Sequence, residues 1–268
     1  MSWTITGTQR YQPAALLDQF PGAAAAYSLR NLVGTSNPAV VRVRRDSDNA
    51  EQDFTAAEVS DGTLAAWVGA GNNGFVRTWY DQSGNGRHAQ QPTTGSQPML
   101  VQNGVVLIKD GDPNIKFTDS QRFLDISISY ADYGLFAVYE PITLFTDFDV
   151  FFSSGGVSGA GVRPTLKLYD ANGNFNANAS NNTVALGERL LFTSIVTASS
   201  GGNLYKNNSL ISTQAGAPAS RSVIVIGDRG DTISGDSHSI SELIFYTTDQ
   251  FTNRAVIEAN INAHYSIY

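Results

Sequence analysis

The stretch FLDISISY at residues 123–130, and the recurrence of its pattern along the chain, constrains the fold more than any other feature. On an extended backbone Leu124, Ile126, Ile128 and Tyr130 fall on one side, and Asp125, Ser127 and Ser129 on the other. A period of two suits a strand with one face in a core and does not suit a helix. Similar short segments precede it at PAVVRVRR (38–45) and FVRTWY (75–80). Others follow at GLFAVYE (134–140), FDVFFSS (148–154), TLKLYD (165–170), RLLFTSIVTA (189–198), NLYKNNSLIS (203–212), RSVIVIG (221–227) and HSISELIFY (238–246). Gly, Asn and Ser turns separate them, and Asn207-Asn208 is a good hairpin tip because Asn tolerates positive φ. The pattern predicts an all-β chain: two antiparallel sheets packed face to face as a jelly-roll sandwich.

Helical signals are few. AAAAYSLRNLV (23–33) reads as a short helix or packed turn, Thr55 and Glu58 have capping-box spacing, and TLAAWV (63–68) is closed by Gly69. At the C-terminus Thr248 or Asp249 is placed to cap a helix whose Phe251, Ala255, Ile257 and Ile261 reach the core. The expected organisation is one sandwich domain over residues 23–268 behind an N-terminal arm over 1–22. That arm carries Trp3, Ile5, Tyr11, Leu16, Leu17 and Phe20, more apolar material than a free tail ordinarily holds. The expectation is an assembly arm that packs on a neighbouring subunit, in a homo-oligomer (a trimer is favoured). A lid on its own sandwich is the alternative.

With 17 basic and 24 acidic residues the net charge is -7, which disfavours nucleic acid and anionic membrane surfaces as partners. No cysteine is present for a disulfide or thiolate metal site, and no run approaches 18 apolar residues, so no membrane insertion is expected. MSWTITGTQRYQ lacks a basic segment followed by an apolar one, so no signal peptide is expected.

His88, His238 and His264 lack ligand spacing for zinc. In GDRGDTISGD (227–236), Asp228, Asp231 and Asp236 offer the hard oxygens that calcium takes, against the plainer reading of a solvated acidic loop; no other cofactor is expected. Glycoside hydrolysis requires two carboxylates across a groove, about 5 to 5.5 Å apart in a retaining enzyme. Asp81, Asp170, Glu188, Asp228, Asp231 and Glu242 are the candidates, although Glu242 alternates with Leu243 on a strand and reads as solvent-facing. The polar loop in TWYDQSGNGRHA (78–89) has two readings. In one, Asp81 accepts backbone N–H groups while Gly84 and Gly86 take positive φ, making a turn that clamps the fold. In the other, Trp79, Tyr80, Asp81 and Asn85 form a carbohydrate-binding surface.

AYSLR (26–30), VRVRRDSDNAEQDF (41–54), WVGAGN (67–72) and TWYDQSGNGRHAQQ (78–91), in that order and spacing, carry a resemblance. The chain resembles the concanavalin-A-like, laminin-G-like sandwiches related to the catalytic domain of fungal α-L-arabinofuranosidase B, modules also widespread in phage virion proteins. Similarity is strong over 23–92 and extends over 23–268 at the level of fold. The resemblance implies a catalytic acid in the Gly-rich loop before the last strand, where Asp231 (or Asp228) stands. It also implies a Glu nucleophile on a middle strand, yet FFSSGGVSGAGVRPTLKLYD (151–170) contains no Glu. The expected function is therefore a non-enzymatic virion protein, a capsid decoration or head-fibre module whose partners are other virion proteins. The alternatives are a tail or carbohydrate-binding adhesion protein that takes a host surface glycan, and a hydrolase of the arabinofuranosidase type.

Overall fold

The structure is a computed structural model and describes residues 14–118, 121–123, 126–143, 149–153, 159–163, 167–170, 183–199, 201–214, 221–227 and 237–268. Among these, a thirteen-stranded sheet packs against a five-stranded one, and every strand pairing is antiparallel. This is the expected all-β sandwich. The main path of the large sheet runs Ser209–Gln214, Gly201–Lys206, Leu190–Thr197, Tyr133–Thr143, Ser237–Tyr246, Ile115–Thr118, Met99–Gln102, Gly74–Trp79, Ala39–Arg45 and Glu51–Thr55. The smaller sheet runs Ile126–Tyr130, Arg221–Ile226, Asp149–Ser153, Gly159–Arg163 and Lys167–Asp170. Asn207 and Asn208 take φ of 50° and 66° at the hairpin tip, as their residue type predicts.

The period of two does its work between the sheets. Ile126, Ile128 and Tyr130 are buried while Ser127 and Ser129 are exposed. They join Trp79, Phe117, Phe123, Tyr133, Phe152 and Phe245 in one apolar cluster, in which Tyr133 and Phe152 stack on Phe245 at 5.8 and 5.5 Å. The large sheet is covered on its other face too. The C-terminal helix Arg254–Tyr265 lays Ile257, Ile261 and Tyr265 over Phe136, Val138, Leu191, Ile244 and Tyr246. All ten residues of the central strand Ser237–Tyr246 are therefore buried. Glu242, expected at solvent, is 0% exposed. Alternation separates two faces of a strand but does not say that one of them is wet.

Three other expectations are corrected. Residues 23–33 do not form a helix: Ala25–Ser28 is a strand that pairs Tyr27 with Leu243 of the central strand. An open sheet edge offers those backbone groups partners, and this overrides the modest helix preference of alanine. The C-terminal helix is entered through Asn253 without a side-chain cap, and although Ile257 and Ile261 are buried, Ala255 is exposed and Phe251 is 57% exposed. Leu16, expected to be held for another subunit, is fully buried in its own chain, with Leu17 and Phe20 packed beside it. The short helix Leu16–Gln19 covers apolar surface between the C-terminal helix and Leu32. Leu17 N donates to Leu32 O (3.1 Å), Asn260 Nδ2 to Ala14 O (2.8 Å) and Tyr246 OH to Phe20 O (2.7 Å). The expected arm boundary at residue 22 thus lies within packed chain, while Trp3, Ile5 and Tyr11 lie outside the described residues.

The helices Ala56–Ser60, with the Thr55–Glu58 capping box, and Thr63–Val68, ended by Gly69 at φ 81°, form as their signals predict. Among the described residues no helix is long and apolar enough to cross a membrane.

Candidate functional site

Beyond the strand Gly74–Trp79 the chain turns through the DQSGNG loop, with Gly84 and Gly86 at φ of 87° and 69°. One edge of the strand Ala25–Ser28 pairs with the central strand, so the backbone of residues 23–32 needs partners elsewhere. The loop side chains supply them. Asp81 Oδ1 accepts from Ala26 N (2.9 Å) and Ser83 N (2.9 Å), and Oδ2 accepts from Ser83 Oγ (2.8 Å) and Arg87 N (3.0 Å). Gln82 Oε1 accepts from Leu32 N (2.8 Å), while its Nε2 donates to Ser28 O (3.1 Å) and Arg30 O (3.0 Å). Asn85 Nδ2 donates to Ala23 O (2.9 Å) and Ala24 O (3.2 Å). The loop is a clamp.

The carbohydrate-binding expectation is corrected for Trp79. Trp79 is fully buried against Tyr27 and Phe123, at ring distances of 5.6 and 6.2 Å, and presents no face to a sugar. Tyr80 donates its hydroxyl to Asp53 Oδ1 (2.8 Å); burial and that carboxylate push its pKa up to about 12. Asp81 and Asn85 are engaged with backbone.

The clamp positions a second group. Held at its carbonyl by Gln82, Arg30 reaches Glu242 through Nε to Oε2 (2.7 Å) and Nη2 to Oε1 (2.9 Å). Glu242 Oε2 also accepts from Ser28 Oγ (2.8 Å) and Tyr265 OH (3.3 Å), and Arg30 Nη1 donates to Asn260 Oδ1 (3.2 Å). Burial pushes the Glu242 carboxyl up, but the Arg30 charge, its hydrogen bonds and that of Ser28 outweigh burial and hold it below the ordinary value. Burial and the Glu242 charge drive the Tyr265 hydroxyl well above its usual range. Nearby, Arg189 Nη1 donates to Asp112 Oδ2 (3.0 Å), and His264 Nε2 lies 3.7 Å from Asp112 Oδ1. Arg30, Asn31, Asp112, His264 and Tyr265 line one side of a cavity of about 560 Å³ beside the helix Ala56–Ser60.

A general acid needs a carboxyl whose pKa is raised toward neutrality. Glu242 is shifted the other way and is clasped by a guanidinium, so this carboxylate joins distant elements of the fold and is not set up as a general acid. Its partners are 212 residues apart, and no local spacing signals the pairing.

The remaining candidates are dispersed. Glu188 pairs with Lys206 Nζ at 2.6 Å and accepts from Ala185 N. Asp170 ends the strand Lys167–Asp170, opposite Ala160. Asp228, Asp231 and Asp236 lie outside the described residues. His88 Nδ1 accepts from Asp81 N (3.1 Å), and His238 stacks on Phe117 at 5.1 Å. Among the described residues no group of three or more His, Cys, Asp or Glu side chains is placed to hold a metal ion.

No protein-family model and no curated protein sequence matches this chain. Solved structures do. A mutant GH54 α-L-arabinofuranosidase soaked with 4-nitrophenyl α-L-arabinofuranoside is similar with a TM-score of 0.70 at 14% identity, over 94% of this chain and 65% of that one. An arabinofuranosidase complexed with arabinofuranosyl-alpha-1,2-xylobiose is similar with a TM-score of 0.68 at 16% identity, again over 94% and 65%. The likeness is one of fold. It shows the sandwich that the resemblance implies, and this chain spans 65% of the length of those proteins.

Proposed function

We propose that this chain is a glycan-binding sandwich that does not hydrolyse its ligand. The observation that carries the reading is a whole-chain likeness to arabinofuranosidases in a sequence with no glutamate between Glu140 and Glu188, the region where the resemblance implies a nucleophile. Loss of that carboxylate removes the covalent step of a retaining mechanism. The described carboxylates Glu242, Asp112 and Asp81 add support, because each is engaged by a guanidinium or by backbone N–H groups. The setting we propose is a bacteriophage virion, where the module decorates a capsid or tail as a homo-oligomer. The resemblance to virion modules and the apolar Trp3, Ile5 and Tyr11 support that setting.

The test pairs a glycan array with an assay on 4-nitrophenyl α-L-arabinofuranoside, both using the full chain. Binding to at least one glycan class with no release of nitrophenol above a protein-free blank is expected. Turnover abolished by Asp231→Asn would revive the hydrolase reading, and failure to bind any glycan would remove the binding one.

A further inference from the structure

Phe251 stands in a position that packing does not explain. It is 57% exposed, yet its backbone is firmly braced. Asp249 Oδ1 accepts from Phe251 N (2.8 Å), and Gln250 O accepts from Asn253 N (3.1 Å) and Arg254 N (2.7 Å). Gln250 Nε2 donates to Thr248 Oγ1 (2.9 Å), and the Gln250 side chain lies over Gly134, where an added Cβ would come within 2.9 Å of its Cγ. The ring is presented by a fixed turn.

Beside it, the strand Gly201–Lys206 opens with two glycines. Gly201 has a φ of 88°, and a Cβ on Gly202 would stand 2.3 Å from Ile195 O, so neither position accepts a side chain without strain. What remains is a hollow of about 320 Å³, bordered by Ile195 and the two glycines and walled by Asn203, Thr213, Asp249 and Phe251. Asn203 is oriented: its Oδ1 accepts from Thr213 Oγ1 (2.9 Å) and its Nδ2 donates to Tyr205 OH (3.1 Å). An amide has a second N–H to donate, a hydroxyl oxygen still accepts, and the Asp249 carboxylate accepts from hydroxyl donors.

We propose that this hollow binds one neutral sugar ring, its C–H face against Phe251 and its hydroxyls on Asn203, Thr213 and Asp249. The proposal rests on the glycan-binding reading above and names its site. The chemistry selects this class of ligand. An exposed aromatic face suits an apolar ring surface, while the amide, hydroxyl and carboxylate suit an edge of hydroxyl groups. Among the described residues no Lys, Arg or His lines the hollow, so phosphate and carboxylate ligands find no counter-charge there. The volume sits at the lower end of the roughly 300 to 1,000 Å³ of ligand clefts, which fits one residue of a glycan and not a long chain.

The test is a titration of the ¹⁵N-labelled full chain with methyl glycosides of L-arabinofuranose, D-galactose and D-glucose, followed by amide shifts. Shifts at Gly201, Gly202, Asn203 and Phe251 are expected for at least one sugar. Phe251→Ala and Asn203→Ala should each weaken that binding tenfold or more, with the rest of the spectrum in place. If the chain binds glycans on the array but these amides do not move and Phe251→Ala keeps full affinity, this site is overturned while the glycan-binding reading stands. If no glycan binds by either method, both fall. Shifts here with choline and none with sugars would make it a cation site and overturn the proposal.

Discussion

In two turns of this molecule, Asp81–Ser83 and Asp249–Phe251, a carboxylate oxygen accepts the N–H two residues on, at 2.9 and 2.8 Å. Each has an aromatic ring two residues from the aspartate: Trp79 before Asp81, Phe251 after Asp249. Trp79 is fully buried and Phe251 is 57% exposed. The difference lies in what stands opposite. The Asp81 turn meets the backbone edge of residues 23–32 and satisfies it. The Asp249 turn borders a hollow floored by two glycines, where no side chain of the strand fills the space. A local motif sets the shape of a turn, and the neighbouring element decides whether its side chains become core or surface.

The contrast breaks if the two aromatics prove alike. Trp79→Ala should lower stability by about 3 to 5 kcal/mol in urea unfolding, the cost of a large cavity between the sheets. A loss no greater than that of Phe251→Ala would show that the clamp side is not core. Arg30 tests what the clamp positions. Arg30→Met should cost about 3 to 5 kcal/mol at pH 7, because it leaves Glu242 charged, buried and unpaired.

The effect of pH on that pair has a definite sign. In the native protein the Glu242 pKa is depressed, so its contribution is present above the unfolded value of about 4.3 and is lost as pH falls through the folded value. In Arg30→Met the burial that raises the carboxyl is no longer opposed by the guanidinium, so that variant loses stability as pH rises past about 4.3. The gap between the two proteins should narrow from pH 7 toward pH 4. A gap independent of pH would mean that Glu242 is not ionised in the fold.

Smaller effects sharpen the contrast between the turns themselves. Asp81→Ala should cost about 3 kcal/mol, since the buried N–H of Ala26 loses its acceptor, whereas Asp249→Ala on the exposed turn should cost about 1 kcal/mol. Equal losses would mean that the bonds from Asp81 to residues 23–32 contribute nothing beyond the turn. Phe251→Ala should change thermal stability by no more than about 0.5 kcal/mol, as expected of a side chain that packs little against its own chain.

Strands, hairpin tip and the two short helices were legible because each rests on near-neighbour chemistry: side chains two apart in FLDISISY, adjacent asparagines at 207–208, and Thr55 with Glu58. Near-neighbour chemistry fails for AAAAYSLRNLV, whose strand exists only because an edge of Ser237–Tyr246 is open to it. It fails for the surroundings of the site as well. Arg30 and Glu242 are far apart in the chain, and the hollow beside Phe251 depends on four segments that carry no shared motif.

Alternating apolar residues between turn residues are enough to specify the sandwich, since two packed sheets are the way to bury them. The absence of glutamate between Glu140 and Glu188 is likewise a matter of composition. Which faces are dry is a tertiary matter. The C-terminal helix covers the outer face of the large sheet, turning Glu242 from an apparent surface residue into half of a buried ion pair. Tertiary packing also makes Trp79 core and leaves Phe251 outside it. Burial depends on what a distant element lays over a residue, and no local pattern of side chains encodes that.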